Sequence, residues 1–465
     1  MAERDQLENQ TFDEIEIGDQ ATLTRTLTAD DITLFGVMSG DVNPSHFDAQ
    51  FASETRYHKI VGHGMWGAAL ISSVVGTQLP GPGTIYLGQE LRFRNPVEVG
   101  DAITVTLTVR SKIPGKNIVV LDCLLTNQRD ERVITGTAEV IAPSTKAVMP
   151  RQQLPGVQLH RHEGYERLMA ATKDLAPKRT LVVHPCDSVS LDGAVQAWRQ
   201  GFIEPVLVGP EARIRQVADA EGIDLGNLEV LDAPHSHAAA GLAVQAVARG
   251  EGQMLMKGSL HTDELMREVT RSANGLRTER RISHAFVMDV PTYPGPLIVT
   301  DAAINIFPGL DDKRDITQNA IDLAHALGIQ TPRVAILSAV ETVTSKIPST
   351  IDAAALCKMA DRRQITGGIL DGPLAMDNAI SPAAAKTKQI DSQVAGRADI
   401  LLAPDLEAAN ILAKQLSFLA NADAAGIVLG ARVPVILTSR ADNLRSRMAS
   451  CAVGVLLSEQ GPPVK

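Results

Sequence analysis

From Ile103 to Arg110 apolar and polar residues alternate without a break: Ile103, Val105, Leu107 and Val109 against Thr104, Thr106, Thr108 and Arg110. Val119, Leu121, Cys123 and Leu125 repeat the pattern, as do Ile134, Gly136, Ala138 and Val140. Period-two runs at short intervals predict antiparallel strands with one buried face. One stretch breaks this rhythm, MWGAALISSVVGTQLPG from Met65. It is apolar nearly all round, which predicts a buried helix. A sheet wrapped around one central apolar helix satisfies both patterns.

The texture changes near residue 145. Short apolar runs at Thr180–His184, Pro205–Val208, Met254–Met256, Leu297–Thr300, Val334–Leu337, Ile400–Leu402 and Val435–Thr438 read as strands. Helical stretches lie between them, among them Gly193–Gln200, Ala238–Arg249, Gln318–Leu327, Ile351–Asp361 and Leu406–Leu416. Alternation of this kind predicts a largely parallel sheet covered on both faces. The connector PSTKAVMPRQQLPG, Pro143 to Gly156, is proline-rich and weakly periodic. The expected division is a first domain over 1–145, a linker over 146–160 and a second domain over 161–465. A chain of 465 residues is long enough for two to four ordinary domains.

Composition narrows the class. Hydrophobic residues make up 44% and charged residues 21%, an ordinary globular balance. A net charge of −10 argues against a general nucleic-acid binder. The four cysteines are scattered without a CxxC pair, which speaks against a thiolate zinc site and fits a reducing compartment. The polar start MAERDQLENQ does not read as a signal peptide. The longest apolar run, Met65 to Gln78, is too short for a bilayer core of about 30 Å. The expectation is a cytoplasmic protein without a membrane partner.

Two stretches carry candidate chemistry. In Ser39-Gly40-Asp41-Val42-Asn43-Pro44-Ser45-His46 a carboxylate and an imidazole flank a proline. Proline excludes a helix interior, and Asn-Pro is a turn signal. A turn can aim Asp41 and His46 at one water, which one group deprotonates while the other returns a proton to the product. Gly62-His63-Gly64-Met65 follows where the apolar helix begins. Unpaired amides at a helix start suit an oxygen that gains negative charge, and glycine permits close approach. An Asp–Asn–His turn can equally be a well hydrogen-bonded loop, and His63 can be a structural cap.

The second stretch is Pro434-Val-Ile-Leu-Thr438-Ser439-Arg440-Ala-Asp442-Asn443, an apolar strand running into hydroxyls, a guanidinium and a helix start. Such groups make a phosphate pocket. An ordinary cap followed by a surface arginine fits the same residues. Lys257-Gly258-Ser259 and Arg267 can add charge to that cleft or be solvated. Val208-Gly209, Gly367-Gly368 and Gly430 are further glycine-rich strand ends, and ligands in α/β sheets bind at strand carboxyl ends. No GxGxxG, P-loop or HExxH pattern occurs.

Residues 10–142 resemble the MaoC-like, (R)-specific enoyl-CoA hydratase family. The resemblance rests on LFGVMSGDVNPSHFD, on His63-Gly64-Met65, and on Tyr86-Leu87-Gly88-Gln89 with Phe93, Pro96-Val97 and Val99-Gly100-Asp101. It implies the hotdog fold, Asp41 and His46 as catalytic pair, Asn43 orienting the loop and the Gly64 N–H as oxyanion donor. Ser45 stands where many members carry an aliphatic residue.

Residues 160–460 resemble the phosphate acetyl/butyryltransferase family. The segments are EPVLVGP, LMKGSLHTDELMR, VTDAAINIFP, AILSAVETVTSKIPSTIDAAAL, DGPLAMDNAISPAAA, SQVAGRADILLAPDLEAANILAKQL and GARVPVILTSRAD. This resemblance implies a two-lobed α/β domain of the isocitrate dehydrogenase-like type, exchanging acyl groups between CoA and phosphate without a metal. Ser439 and Arg440 match the family's Ser-Arg pair, and Arg267 matches an arginine that helps to bind phosphate or CoA. The acetyl-type base, an aspartate, falls on Ser446 here, which leaves Asp442 as the candidate base. The TSRAD wording is closer to the butyryl-type branch.

Together these imply a bifunctional acyl-CoA enzyme. Its substrates are CoA thioesters and inorganic phosphate, no further cofactor is called for, and the expected state is a homodimer or larger. Two alternatives stay open. The first domain serves only acyl-CoA binding or dimerisation, or the second senses an acyl-CoA or acyl phosphate without turning it over.

Overall fold

The computed structural model describes residues 6–157, 159, 163–273, 275–438 and 442–461. The chain forms two compact units, Met1–Leu159 and His160–Lys465. No described helix is long and apolar enough to cross a membrane.

The first unit is built on strands β2 (Gln20–Thr26), β3 (Ile85–Phe93), β4 (Ala102–Ile113), β5 (Ile118–Thr126) and β6 (Arg132–Ile141). They form one antiparallel sheet in the order β2-β4-β5-β6-β3. The alternating residues of β4 and β5 fall where the pattern predicts: Ile103, Val105, Leu107, Val119, Leu121 and Leu125 are fully buried. Helix α3 (Gly64–Thr77) lies against this face, with Trp66, Leu70, Ile71, Val74 and Val75 in one core cluster with the strand residues. The expectation of burial all round needs correction. Ala69, Ser72, Ser73 and Gly76 remain exposed, so α3 presents one large-residue face to the sheet and one small-residue face outward.

Two shorter helices, α1 (Ala29–Ser39) and α2 (Ala49–Glu54), flank the loop that carries Asp41 and His46. The connector is not structureless. Its residues Val148–Pro150 form β7 and pair with β1 (Gln6–Glu8), tying that part of it to the first unit.

Among the described residues the second unit holds eleven strands: β8 (Lys178–Val183), β9 (Ile203–Gly209), β10 (Glu229–Asp232), β11 (Met254–Lys257), β12 (Ser283–Asp289), β13 (Pro296–Thr300), β14 (Arg333–Leu337), β15 (Ile369–Leu374), β16 (Ile400–Leu402), β17 (Asp423–Leu429) and β18 (Val435–Ile436). Their order is β10-β9-β8-β11-β18-β17-β12-β13-β16-β14-β15. The outer pairings are parallel, as predicted. Those joining β18, β17, β12 and β13 are antiparallel. Three reversals leave the two parallel halves running in opposite directions, so their carboxyl ends lie on opposite edges of the sheet. A single row of strand ends, as the glycine-rich segments suggest, is therefore not what forms. Gly209 ends β9 and Gly258 follows β11, Gly367-Gly368 lie at the amino end of the oppositely directed β15 and so on the same edge, and Gly430, which follows β17, lies on the other.

His284 on β12 is a buried polar residue with a stability consequence. It is 1% exposed, stacks edge-on against Phe286 at 4.6 Å, and its Nδ1 has no hydrogen-bond partner among the described residues. Burial holds the imidazole pKa down at about 3, against 6.5 for a free side chain. Charging this ring inside the sheet is unfavourable, so the unfolded chain binds the proton first as pH falls. The stability contributed by the neutral ring is full above 6.5 and is lost as pH falls from there toward 3. Between about pH 7 and about pH 5 the unfolding temperature of a His284→Phe variant is expected to fall less than that of the wild type. Parallel decline of the two would show that other groups govern acid sensitivity.

Candidate active sites

In the first unit α1 delivers the carboxylate. Thr28 and Asp31 form a capping box at its start, and Gly40, in the left-handed region at φ 76°, ends it. Asp41 follows at once. Its Oδ1 accepts the Asn43 N–H at 3.2 Å, and Asn43 Oδ1 accepts the Ser45 N–H at 3.1 Å. A short 3₁₀ turn, Pro44–His46, completes the loop, so the proline sits at a helix start and not within one.

His46 Nδ1 lies 2.7 Å from the Val61 carbonyl. A carbonyl only accepts, so Nδ1 carries the hydrogen and the neutral ring keeps its lone pair on Nε2. That is the protonation state a base requires. His63 is buried at 4% exposure, its ring stacked on His46 with centroids 3.9 Å apart and planes tilted 32°. Its Nε2 donates to the Asp41 carbonyl at 3.1 Å and stands 4.0 Å from Asp41 Oδ2. The side chain of Asp41 is half exposed, open to solvent or substrate.

Gly64 is the first residue of α3, with no side chain capping the helix start. A Cβ there would meet the Phe93 ring at 3.1 Å, so glycine keeps the approach to these first amides open. A carboxylate, a basic imidazole nitrogen and an uncapped helix start thus lie along one short stretch of surface.

Donor atoms of Asp41, His46 and His63 lie within 4.8 Å of one another, the spacing of a metal site. The orientation suits one poorly. The two rings overlap at 3.9 Å with a tilt of 32°, and ligands stacked face against face leave little room for an ion between them. The His63 Nε2 hydrogen is also committed to the Asp41 carbonyl.

In the second unit the carboxyl ends of β9, β8, β11 and β18 stand side by side. Val183 is level with Lys257 and Val208, and Met256 with Ile436. His184, just past β8, adopts a left-handed φ of 55°. Ser259 Oγ donates to the His184 carbonyl at 2.8 Å and accepts the Cys186 N–H at 3.1 Å. Burial, and then the nearby Arg213 charge, hold the His184 imidazole pKa below its usual value.

Lys257 is not solvated: it is 7% exposed, with Nζ 3.2 Å from the Gly258 carbonyl. Arg447, 4% exposed in the first turn of the helix Leu444–Glu459, donates to Thr438 Oγ1 at 3.1 Å. Two buried cations at adjacent strand ends make this edge suitable for a polyanionic ligand.

The remaining predicted residues are dispersed. Ser439 and Arg440 lie outside the described residues. Asp442 is half-buried beside a cavity of about 310 Å³ that Asp192, Ser188 and Arg447 also line. Ser446 is buried, its N–H capped by Asn443 Oδ1 at 2.8 Å. Arg267 is exposed in the last turn of the helix Thr262–Val269, unlike the buried Lys257. His184 and Arg447 escape sequence reasoning. The first ends an apolar run without any motif, and the second follows Ser446 inside an ordinary helix.

Residues 14–127 match the MaoC-like domain family and residues 234–455 the phosphate acetyl/butaryl transferase family. The phosphate acetyltransferase of Rhizobium meliloti is 65% identical over 292 residues, which is 63% of this chain and 92% of that protein. The phosphate butyryltransferase of Clostridium beijerinckii is 39% identical over 296 residues, 64% of this chain and 98% of that one. Among solved structures, a branched-chain phosphotransacylase from Enterococcus faecalis V583 is 27% identical with a TM-score of 0.53, covering 60% of this chain and 99% of its own. A MaoC-like hotdog domain, an antiparallel sheet with its helix, thus precedes a mixed α/β phosphotransacylase domain, and the chain belongs to the phosphate acetyl/butyryltransferase family.

Proposed function

We propose that the protein catalyses two reactions of CoA thioesters. The first unit hydrates a trans-2-enoyl-CoA to an (R)-3-hydroxyacyl-CoA. The clustering of Asp41 and His46 with His63, the residue from which the Gly64 helix starts, is the observation that carries this reading. A water held between Asp41 and His46 gives its oxygen to C3 of the enoyl chain and its proton to the base. The displaced π electrons move onto the thioester oxygen, where the Gly64 amide meets the charge. Return of a proton to C2 completes the addition, and Asn43 holds the loop.

The second unit transfers an acetyl group between CoA and phosphate. A phosphate oxygen bonds to the thioester carbonyl carbon, the C–S bond breaks, and the CoA thiolate leaves and takes up a proton. Acetyl phosphate and CoA are the products. The observation that carries this is 65% identity over 92% of a phosphate acetyltransferase. It outweighs the butyryl-type wording of TSRAD, since the butyryltransferase relative is only 39% identical. Lys257 and Arg447 neutralise phosphate charge, with Arg267, Ser439 and Arg440 as further contacts. Asp442 is the base for the thiol in the reverse direction, and Ser446 occupies the place of the family's aspartate.

Both readings are tested on the intact protein. Loss of enone absorbance from crotonyl-CoA reports hydration, and phosphate-dependent release of CoA thiol from acetyl-CoA reports transfer. Absence of the first with the second intact would leave the MaoC-like unit a binding or dimerisation module. Absence of the second would favour a sensing role for the larger unit.

A further inference from the structure

We propose that His63 is a positioning residue of the hydration step, holding three parts of the site in register without touching the reacting atoms. The proposal rests on the hydratase reading of the first unit.

Each tether is visible. The Nε2 hydrogen is donated to the carbonyl of Asp41, which fixes the turn on which the carboxylate stands. At 4.0 Å from Oδ2 the same nitrogen is too far to bind the carboxylate itself, so the carboxylate keeps both oxygens for water and the Asn43 amide. The imidazole face lies against His46 at 3.9 Å. His46 is anchored at Nδ1 to Val61, and this stack blocks rotation about the remaining axis, so its Nε2 points one way. The His63 carbonyl accepts the Trp66 N–H at 3.0 Å, setting the entry into α3 and hence the direction of the Gly64 amide.

Packing alone does not account for a histidine here. Phe35 and Phe47 pack around the ring at 4.9 and 5.8 Å, an apolar setting that phenylalanine would fill. The His63 Nδ1 is buried without a hydrogen-bond partner among the described residues, and leaving a buried acceptor unmatched costs stability. A residue whose job was only to fill space would not carry that cost. What histidine adds over phenylalanine is the Nε2 donor to Asp41.

The test uses the full chain with His63→Phe, which keeps an aromatic ring and loses the donor, and His63→Gln, which keeps a donor and loses the ring. Displacing a catalytic group by about 1 Å costs about 10²-fold in rate. Crotonyl-CoA hydration is therefore expected to show kcat lowered about 10- to 100-fold in both variants, with KM within about threefold of the wild type. Thermal unfolding of each sample reports whether the unit is folded. A folded His63→Phe protein with wild-type kcat would overturn the proposal and leave His63 a core residue. If that variant does not fold, His63→Gln decides in the same way. A wild-type protein that does not hydrate crotonyl-CoA would instead remove the hydratase reading, an outcome distinguishable from the first.

Discussion

Asp41→Asn is expected to lower crotonyl-CoA hydration about 10²- to 10⁴-fold, the range in which a positioned acid or base contributes, while phosphate-dependent CoA release stays at the wild-type rate. The substitution is nearly isosteric. Its amide oxygen can still accept the Asn43 N–H, so the turn into Pro44–His46 is kept. The side chain is half exposed, so no buried charge is stranded and the melting temperature should barely move. What disappears is the carboxylate that the proposed hydration step pairs with His46 Nε2. The paired readout separates chemistry from folding, because the strand-end site of the second unit contains no residue from this loop. Hydration within about threefold of wild type would remove Asp41 from the acid–base pair.

The legibility of the two sites differs for a physical reason. Asp41, Asn43 and His46 lie within one run of six residues, so a turn signal and a carboxylate–imidazole spacing are enough to bring them together. The His63 stack is not legible in that way. His63 lies seventeen positions beyond His46, and only the return of the chain into α3 lays one ring on the other. In the larger unit β8, β9, β11, β13, β14, β16 and β18 betray themselves as short apolar runs between helical stretches, whereas the edge strands β10 and β15 do not. The central pair does not. SHAFVMD in β12 and DAAGIVL in β17 are covered on both faces at the middle of the sheet, so alternation vanishes. Nothing in their composition records that they run against their neighbours. The opposed halves follow from those reversals. The connector shows the opposite failure. Its prolines read as a spacer, yet three of its residues complete a two-stranded ribbon with the chain's first strand.

Gly258→Ala is expected to reduce acetyl transfer about 10²-fold or more, the loss associated with misplacing a site by about 1 Å. The reason is space. A Cβ at this position would stand 2.4 Å from the Val183 carbonyl oxygen and 2.6 Å from that of His184, and both are backbone atoms that cannot rotate aside. Relief requires the ends of β8 and β11 to part. That weakens two hydrogen bonds of 2.9 Å, from Gly258 N–H to Val183 and from Ser259 N–H to His184. It also carries Lys257 and Ser259 away from His184 and from the end of β18. Overpacking of this kind typically costs about 1–3 kcal/mol, so the unit should remain folded at 25 °C while its melting temperature drops. Gly241→Ala is the matching control. It lies mid-helix, where a Cβ meets only the Glu268 side chain at 3.8 Å, and alanine there should stabilise by up to about 1 kcal/mol with transfer unchanged. Comparing CoA release from acetyl-CoA in the two variants, with crotonyl-CoA hydration as internal standard, ties the loss to the strand-end edge. Full transfer activity in folded Gly258→Ala would mean that the phosphate and thioester meet elsewhere, and that the buried pair Lys257 and Arg447 serves the fold instead of the reaction.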